Sequence, residues 1–317
     1  MAVKRVEPHE LMDPTRLREL LRAREPFVVR GAPGVDGSFG RATAAFKRKR
    51  MELWDQKNDF FRIFRSALDE HEGASCPCTQ MSGTDTIDSD RVALDEDFQV
   101  VLRYVFPASE VDKVFVKPVI GGPLLQLARS CSGKNLFNTL FVSRGETRGI
   151  LHAHNYDVFG AYPAAGAGSR MILFPVELYP RFRSRCMPAK SGVINFHNYE
   201  LEDELMDQAV VIELEAGDIV HIPFCWYHRV DHQGEYVHMA TNWFFPELLE
   251  DRLAAVRDSI PRDEWALFEA HTRRFRVWNV LAPLDHLVDL VAERVPALQR
   301  LMPGFERAKS RLLDAAR

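Results

Sequence analysis

A mostly β fold with flanking helices is what this chain predicts, and three observations carry that expectation. Short apolar segments divided by turn residues fill the middle of the sequence, from about 134 to 246. After 247, apolar residues recur at the i, i+3, i+4 spacing of helices packed on a core. Before about 110, both patterns are mixed. The chain therefore divides into a unit over 1–246, with mixed elements over 1–133 and a β core over 134–246, and a helical C-terminal extension over 247–317.

In "DPTRLRELLRA", Asp13 stands as an N-cap and Pro14 at the first helical position, where its missing N–H costs nothing. "PFVVRGAP" reads as a short buried strand closing in a turn, and "DQKNDFFRIFRSALDEH" as an amphipathic helix. The small, polar "GASCPCTQMSGTDTIDSD" is a loop. "NLFNTLFV", "GILHAHNYDVFGAY", "RMILFPV", "GVINFH", "AVVIELEAGDIVHIP" and "EYVHMATNWFF" suit strands of a sandwich or barrel. "PELLEDRLAAVRDSI", "RDEWALFEAHTRRFRVWNVL" and "HLVDLVAERVPALQRL" are helices. No internal repeat is present.

With 46% apolar and 27% charged residues, the chain has the composition of a globular protein with a sizeable core. A net charge of −4 and a pI near 6.3 argue against a nucleic-acid binder. The one basic run, "FKRKR" (Phe46 to Arg50), reads as a solvated helix face. No apolar run reaches the roughly 18 residues that cross a bilayer, and the N-terminus has no apolar signal core, so a cytoplasmic protein without membrane contact is expected. Five cysteines without a framework spacing agree with a reducing compartment, and "CPC" at 76–78 is read as plain thiols.

The chemistry concentrates in "RGILHAHNYDVFGAY", residues 148–162. On a strand, His152, His154 and Tyr156 share a face, and two imidazoles at i and i+2 can bite one metal ion. A third ligand comes most naturally from "ELEAGDIVHIPFCWYHRV", at His228. A lone histidine would be read as a packed core residue; the pair, followed by P-x-x-W-x-H, reads as a metal site.

These segments resemble the JmjC-type, cupin-like oxygenases, the group that includes the asparaginyl hydroxylase of hypoxia-inducible factor. "PFVVRGAP", "RGETRGILHAHNYDVF", "RMILFPVELYP" and "ELEAGDIVHIPFCWYHRVDHQGEYVHMATNWFF" follow that family's motifs in order over residues 26–246. The resemblance implies a double-stranded β-helix with Fe(II) at its mouth, O2 and usually 2-oxoglutarate as co-substrates, and a C-terminus that often forms a homodimer. It carries the two metal histidines onto His152 and His228, and a residue facing the co-substrate onto Asn242.

Three positions depart from the pattern. His154 stands where the family has its metal-binding Asp or Glu. The lysine that pairs with the distal carboxylate of 2-oxoglutarate falls at Ser169, beside Arg170, and the family's Thr or Ser falls at Gly149. Imidazole in place of carboxylate raises the site's charge by one, which favours an anionic ligand; three-histidine iron is workable chemistry, though imidazole also suits copper, zinc and nickel. Asp157 could replace the missing carboxylate only through a bulge, and Glu146 and Asp218 are further candidates; Asp218 reads as a structural turn residue. Arg170 is out of phase with the barrel interior unless the glycines of "YPAAGAGS" shift the register, and Arg144 or Arg148 could serve instead. His238 has the inward parity of Asn242 and reads as either a satisfied core histidine or a donor or contact for substrate or cofactor; Tyr156 is a candidate contact for substrate or cofactor. His221, Trp226, Tyr227 and Cys225 read as packing residues, and His197 as a loop residue near the mouth.

The expected function is thus a mononuclear non-haem Fe(II) oxygenase with His152, His154 and His228 at the metal. Asn242, Ser169, Arg170, Tyr156 and His238 are candidates around the cofactor. It would act on a small molecule or a peptide side chain, with 2-oxoglutarate dependence open. The alternatives are an oxygenase whose substrate itself ligates the iron, a non-catalytic cupin-like binding or dimerisation module, and a zinc or copper cupin with lyase or isomerase chemistry.

Overall fold

The computed structural model describes residues 3–32, 98–104, 133–144, 147–148, 151–182, 186–187, 195–196, 205–273 and 275. The basic run at 46–50, the helix expected over "DQKNDFFRIFRSALDEH", the "CPC" pair, Glu146, Gly149, His197 and the apolar helices after 275 lie outside these residues.

Near the N-terminus β1 (Lys4–Arg5) runs parallel to β2 (Phe27–Val29). Between them lies α1 (Pro14–Ala23), which opens as expected: the Asp13 carboxylate accepts from the Thr15 N–H at 2.8 Å. Leu17, Leu20 and Leu21 are its buried face.

The middle of the chain is strand. β3 (Phe98–Tyr104), β4 (Lys134–Arg144), β5 (Thr147–Arg148), β6 (Asp157–Ala164) and β7 (Arg170–Phe174) come first. A helical turn, α2 (Tyr179–Phe182), and the short pair β8 (Cys186–Met187) and β9 (Asn195–Phe196) follow. Then come β10 (Val210–Glu213), β11 (Asp218–Ile222), β12 (Tyr227–His232) and β13 (Tyr236–Phe244). They form a seven-stranded sheet in the order β1-β2-β11-β6-β13-β4-β3, a four-stranded sheet in the order β10-β7-β12-β5, and the β8-β9 pair. The non-consecutive neighbours in both larger sheets mean that the chain crosses repeatedly between them.

One hydrophobic core joins the sheets: Val28, Val158, Tyr162 and Val220 from the larger meet Met171, Leu173, Val210 and Ile212 from the smaller. Every residue of β11 and β13 is buried, so the central strands are covered on both faces. Beyond the sheets, α3 (Leu249–Val256) and α4 (Arg262–Arg273) join the same core through Leu249, Leu253, Val256 and Phe268. The described part of the C-terminal extension is therefore packed on the β core. Among the described residues no helix is long and apolar enough to cross a membrane.

Two sequence expectations change in detail. The strand expected over 149–162 begins, among the described residues, only at Asp157, and His152 makes an isolated antiparallel bridge with His228. The segment "AVVIELEAGDIVHIP" is two strands, because Gly217 turns the chain at a φ of +93° that only glycine adopts without strain. Asp218 completes that turn by accepting from the Glu215 N–H at 2.8 Å and pairing with Arg30, so its role is structural.

Candidate metal centre

Three imidazoles converge where 151–156 passes the start of β12. His152 N–H donates to the His228 carbonyl at 3.1 Å, and His228 N–H returns the bond at 2.8 Å. This isolated bridge brings the two side chains together, with ring centroids 4.2 Å apart. His154 is carried in two residues later. Its carbonyl accepts from the Cys225 N–H at 2.8 Å, and its ring lies 4.7 Å from that of His152 and 5.1 Å from that of His228. Cys225 achieves this with a φ of +63°, a left-handed conformation uncommon for a residue with a Cβ.

The ligand atoms of the three histidines all lie within 4.8 Å of one another, and the Nε2 atoms of His152 and His154 are 3.1 Å apart. Metal–imidazole bonds of about 2.1 Å meeting at right angles set donor nitrogens about 3 Å apart, so this pair is spaced as cis ligands of one ion. The His228 Nδ1 faces the Trp226 carbonyl at 3.3 Å. A carbonyl only accepts, so that contact places the proton on Nδ1 and leaves Nε2 as a lone-pair donor. Burial, followed by the neighbouring imidazoles, holds His154 and His228 well below the usual histidine range. They are therefore neutral near pH 7, the form that binds metal. His152 and His154 are half-buried and His228 buried, which leaves the cluster open on one side. The donor set thus fits a divalent transition metal.

The described carboxylate alternatives, Asp157 and Asp218, do not join it. Asp157 is wholly buried away from the imidazoles, bonded to His221 at 3.0 Å and paired with Arg252 of α3. His221 stacks between Phe27 and Phe159, at centroid distances of 4.6 and 4.9 Å, and so has the packing role expected of it. Trp226, Tyr227 and Cys225 are buried as well.

The residues expected around a co-substrate separate. Tyr156 stacks on His154 at 4.8 Å. Asn242 is buried opposite Val158, one residue into β6, on the row that includes the core residue Ile222. His238 is buried deeper along β13, stacked on Tyr162 at 4.6 Å and 7°. Burial drives its pKa down to about 3. Tyr236 and His232 extend the group, stacked on each other at 4.2 Å. The Tyr162 hydroxyl, also buried, meets no partner at ordinary hydrogen-bond geometry, although Tyr236 and Tyr162 influence each other's ionisation, and burial raises both phenols. Apart from His238, these four aromatic residues were not found by sequence reasoning; the inward parity with Asn242 along β13 points to Tyr236 as well, but not to Tyr162 or His232 on other strands.

Ser169 lies four residues from Leu173, the strand partner of His228, which is about 13 Å along an extended chain. Its hydroxyl accepts from the Gln233 N–H at 3.3 Å in a tight turn. Arg170 points to the opposite face of β7, 3.6 Å from Asp231, which Arg229 also binds at 2.8 Å. The glycines of "YPAAGAGS" thus do not bring Arg170 inward. The two positions nearest to the family's lysine therefore provide no cation for a buried carboxylate. Arg144 and Arg148 lie in β4 and β5 by backbone.

The chain matches the family described as cupin-like domain over residues 40–251, more than half of its length. It belongs to that family. No curated protein matches it.

Proposed function

We propose that this cupin-like protein is a mononuclear non-haem iron oxygenase with a three-histidine centre. The observation that carries the reading is the convergence of His152, His154 and His228, with the cis-ligand spacing of the first two. Ferrous iron held there would supply O2 binding and activation, with coordination positions left open for O2 and a substrate atom. The protein's own residues set the terms. Three neutral imidazoles leave the full charge of the ion uncompensated, so an anionic ligand group is favoured at the open positions. The Trp226 carbonyl fixes the His228 tautomer. Tyr156 backs the His154 ring, and the closed double-stranded β-helix implied by the family would put Asn242 and His238 on the inner wall.

The residues do not reproduce the family's anchor for 2-oxoglutarate, since Ser169 is engaged in a turn and Arg170 lies on the far face. That favours a substrate which ligates the metal and supplies the electrons itself, such as a thiol, a catechol-like compound or an amino-acid-derived molecule. Metal analysis of protein from iron-supplemented cells tests the first claim. One iron per chain, lost in His154→Ala, is expected; stoichiometric zinc, or no metal, overturns the oxygenase and leaves a zinc cupin or a binding module. Succinate release from 2-oxoglutarate with Fe(II) tests the second, and turnover would overturn it.

A further inference from the structure

The segment from Leu151 to Asp157 belongs to no sheet over most of its length, yet it must hold two of the three imidazoles. Its side chains alternate. His152 and His154 face the centre, half-buried, while Leu151, Ala153, Asn155 and Asp157 are each at most 2% exposed. On one edge the backbone is held by His228 and Cys225. His221 holds Asp157 from the sheet, and further restraints come from the C-terminal helices.

Asn155 Nδ2 donates to Thr272 Oγ1 of α4 at 3.1 Å, and that hydroxyl donates in turn to the Phe268 carbonyl at 2.8 Å. Tyr156, which stacks on His154, meets Phe275 edge-on with centroids 5.7 Å apart. Asp157 pairs with Arg252 of α3, whose guanidinium lies over the Phe224 and Phe245 rings at 5.8 and 5.3 Å. Three consecutive residues after His154 are thus each tied to a different C-terminal residue. These ties bury polar groups that would be costly unpaired, so the segment cannot shift without breaking them.

We infer that the C-terminal helices are a positioning element of the metal centre, with Arg252, Thr272 and Phe275 acting on His154 through Asp157, Asn155 and Tyr156. The inference rests on the three-histidine reading of the site. Helices outside the sheets then determine metal affinity, and any partner or ligand that loosens them from the β core weakens the centre.

The test is Co(II) binding to the full-length metal-free chain, followed by isothermal titration and by the visible ligand-field spectrum. Thr272→Val and Phe275→Leu are the main variants, and the double variant Arg252→Met/Asp157→Asn removes the buried pair without leaving a lone charge. Leu267→Ala, at an exposed position of α4, is the control. Groups that orient metal ligands contribute about 10- to 100-fold to affinity. At least a tenfold weaker Co(II) affinity with an altered spectrum is expected for the main variants, with none for the control. Wild-type affinity and spectrum in folded Thr272→Val and Phe275→Leu, with binding abolished in His228→Ala, would overturn the positioning role and leave the metal centre standing. Co(II) affinity unchanged in His228→Ala would overturn the metal centre itself.

Discussion

Gly160 offers a direct probe of the protein interior. It sits on β6, and a Cβ added there would lie 2.7 Å from His238 Nε2, 3.1 Å from the Tyr162 hydroxyl and 3.2 Å from Tyr162 Cε2. Unbonded heavy atoms settle at roughly 3.5 Å or more, so Gly160→Ala demands a shift of roughly half an ångström or greater. The imidazole cannot simply swing away, because it is stacked on Tyr162 and wholly surrounded. Overpacking of this kind costs about 1–3 kcal/mol, offset by somewhat under 1 kcal/mol from the lost freedom of glycine in the unfolded chain. We expect a net loss of about 1–2 kcal/mol, measured by urea denaturation. In a double-mutant cycle, His238→Ala should relieve most of it, giving a coupling energy of about 1 kcal/mol or more. A Gly160→Ala protein as stable as the wild type, or a loss that His238→Ala leaves unchanged, would refute the account of the interior wall.

Two further expectations follow from charge placement. His238 is held neutral in the folded protein down to about pH 3 but takes a proton near pH 6.5 when unfolded. The unfolded state thus binds more protons between these values, and stability is full above about pH 6.5 and falls as pH drops. Relative to His238→Gln, the wild type should lose about 2 kcal/mol more between pH 7 and pH 5; equal losses by denaturant titration would contradict the buried neutral imidazole. Arg170→Met should lower stability by less than about 1 kcal/mol, because the half-exposed guanidinium shares Asp231 with Arg229, and should leave Co(II) and 2-oxoglutarate binding unchanged. Loss of keto-acid binding by isothermal titration in that variant would place Arg170 at the co-substrate after all.

The order and nature of most of the described elements, the likeness to cupins and the three histidines were legible in the residues alone. Strand periods, the Asp13 cap, the glycine turns, the H-x-H and the downstream P-x-x-W-x-H are each local patterns written in contiguous residues. Alternation also predicted that Arg170 faces away from Ser169, because that depends only on the pleat. Tertiary structure decided the rest. That Asp157 is held by His221 and Arg252, and so does not join the cluster of His152, His154 and His228, depends on partners 64 and 95 positions along the chain. The same holds for the clasp of Thr272 on Asn155 and for the wall of Tyr162, His238, Tyr236 and His232. Sequence period tells which face a side chain takes; which atoms wait across that face is settled only when distant segments are packed together.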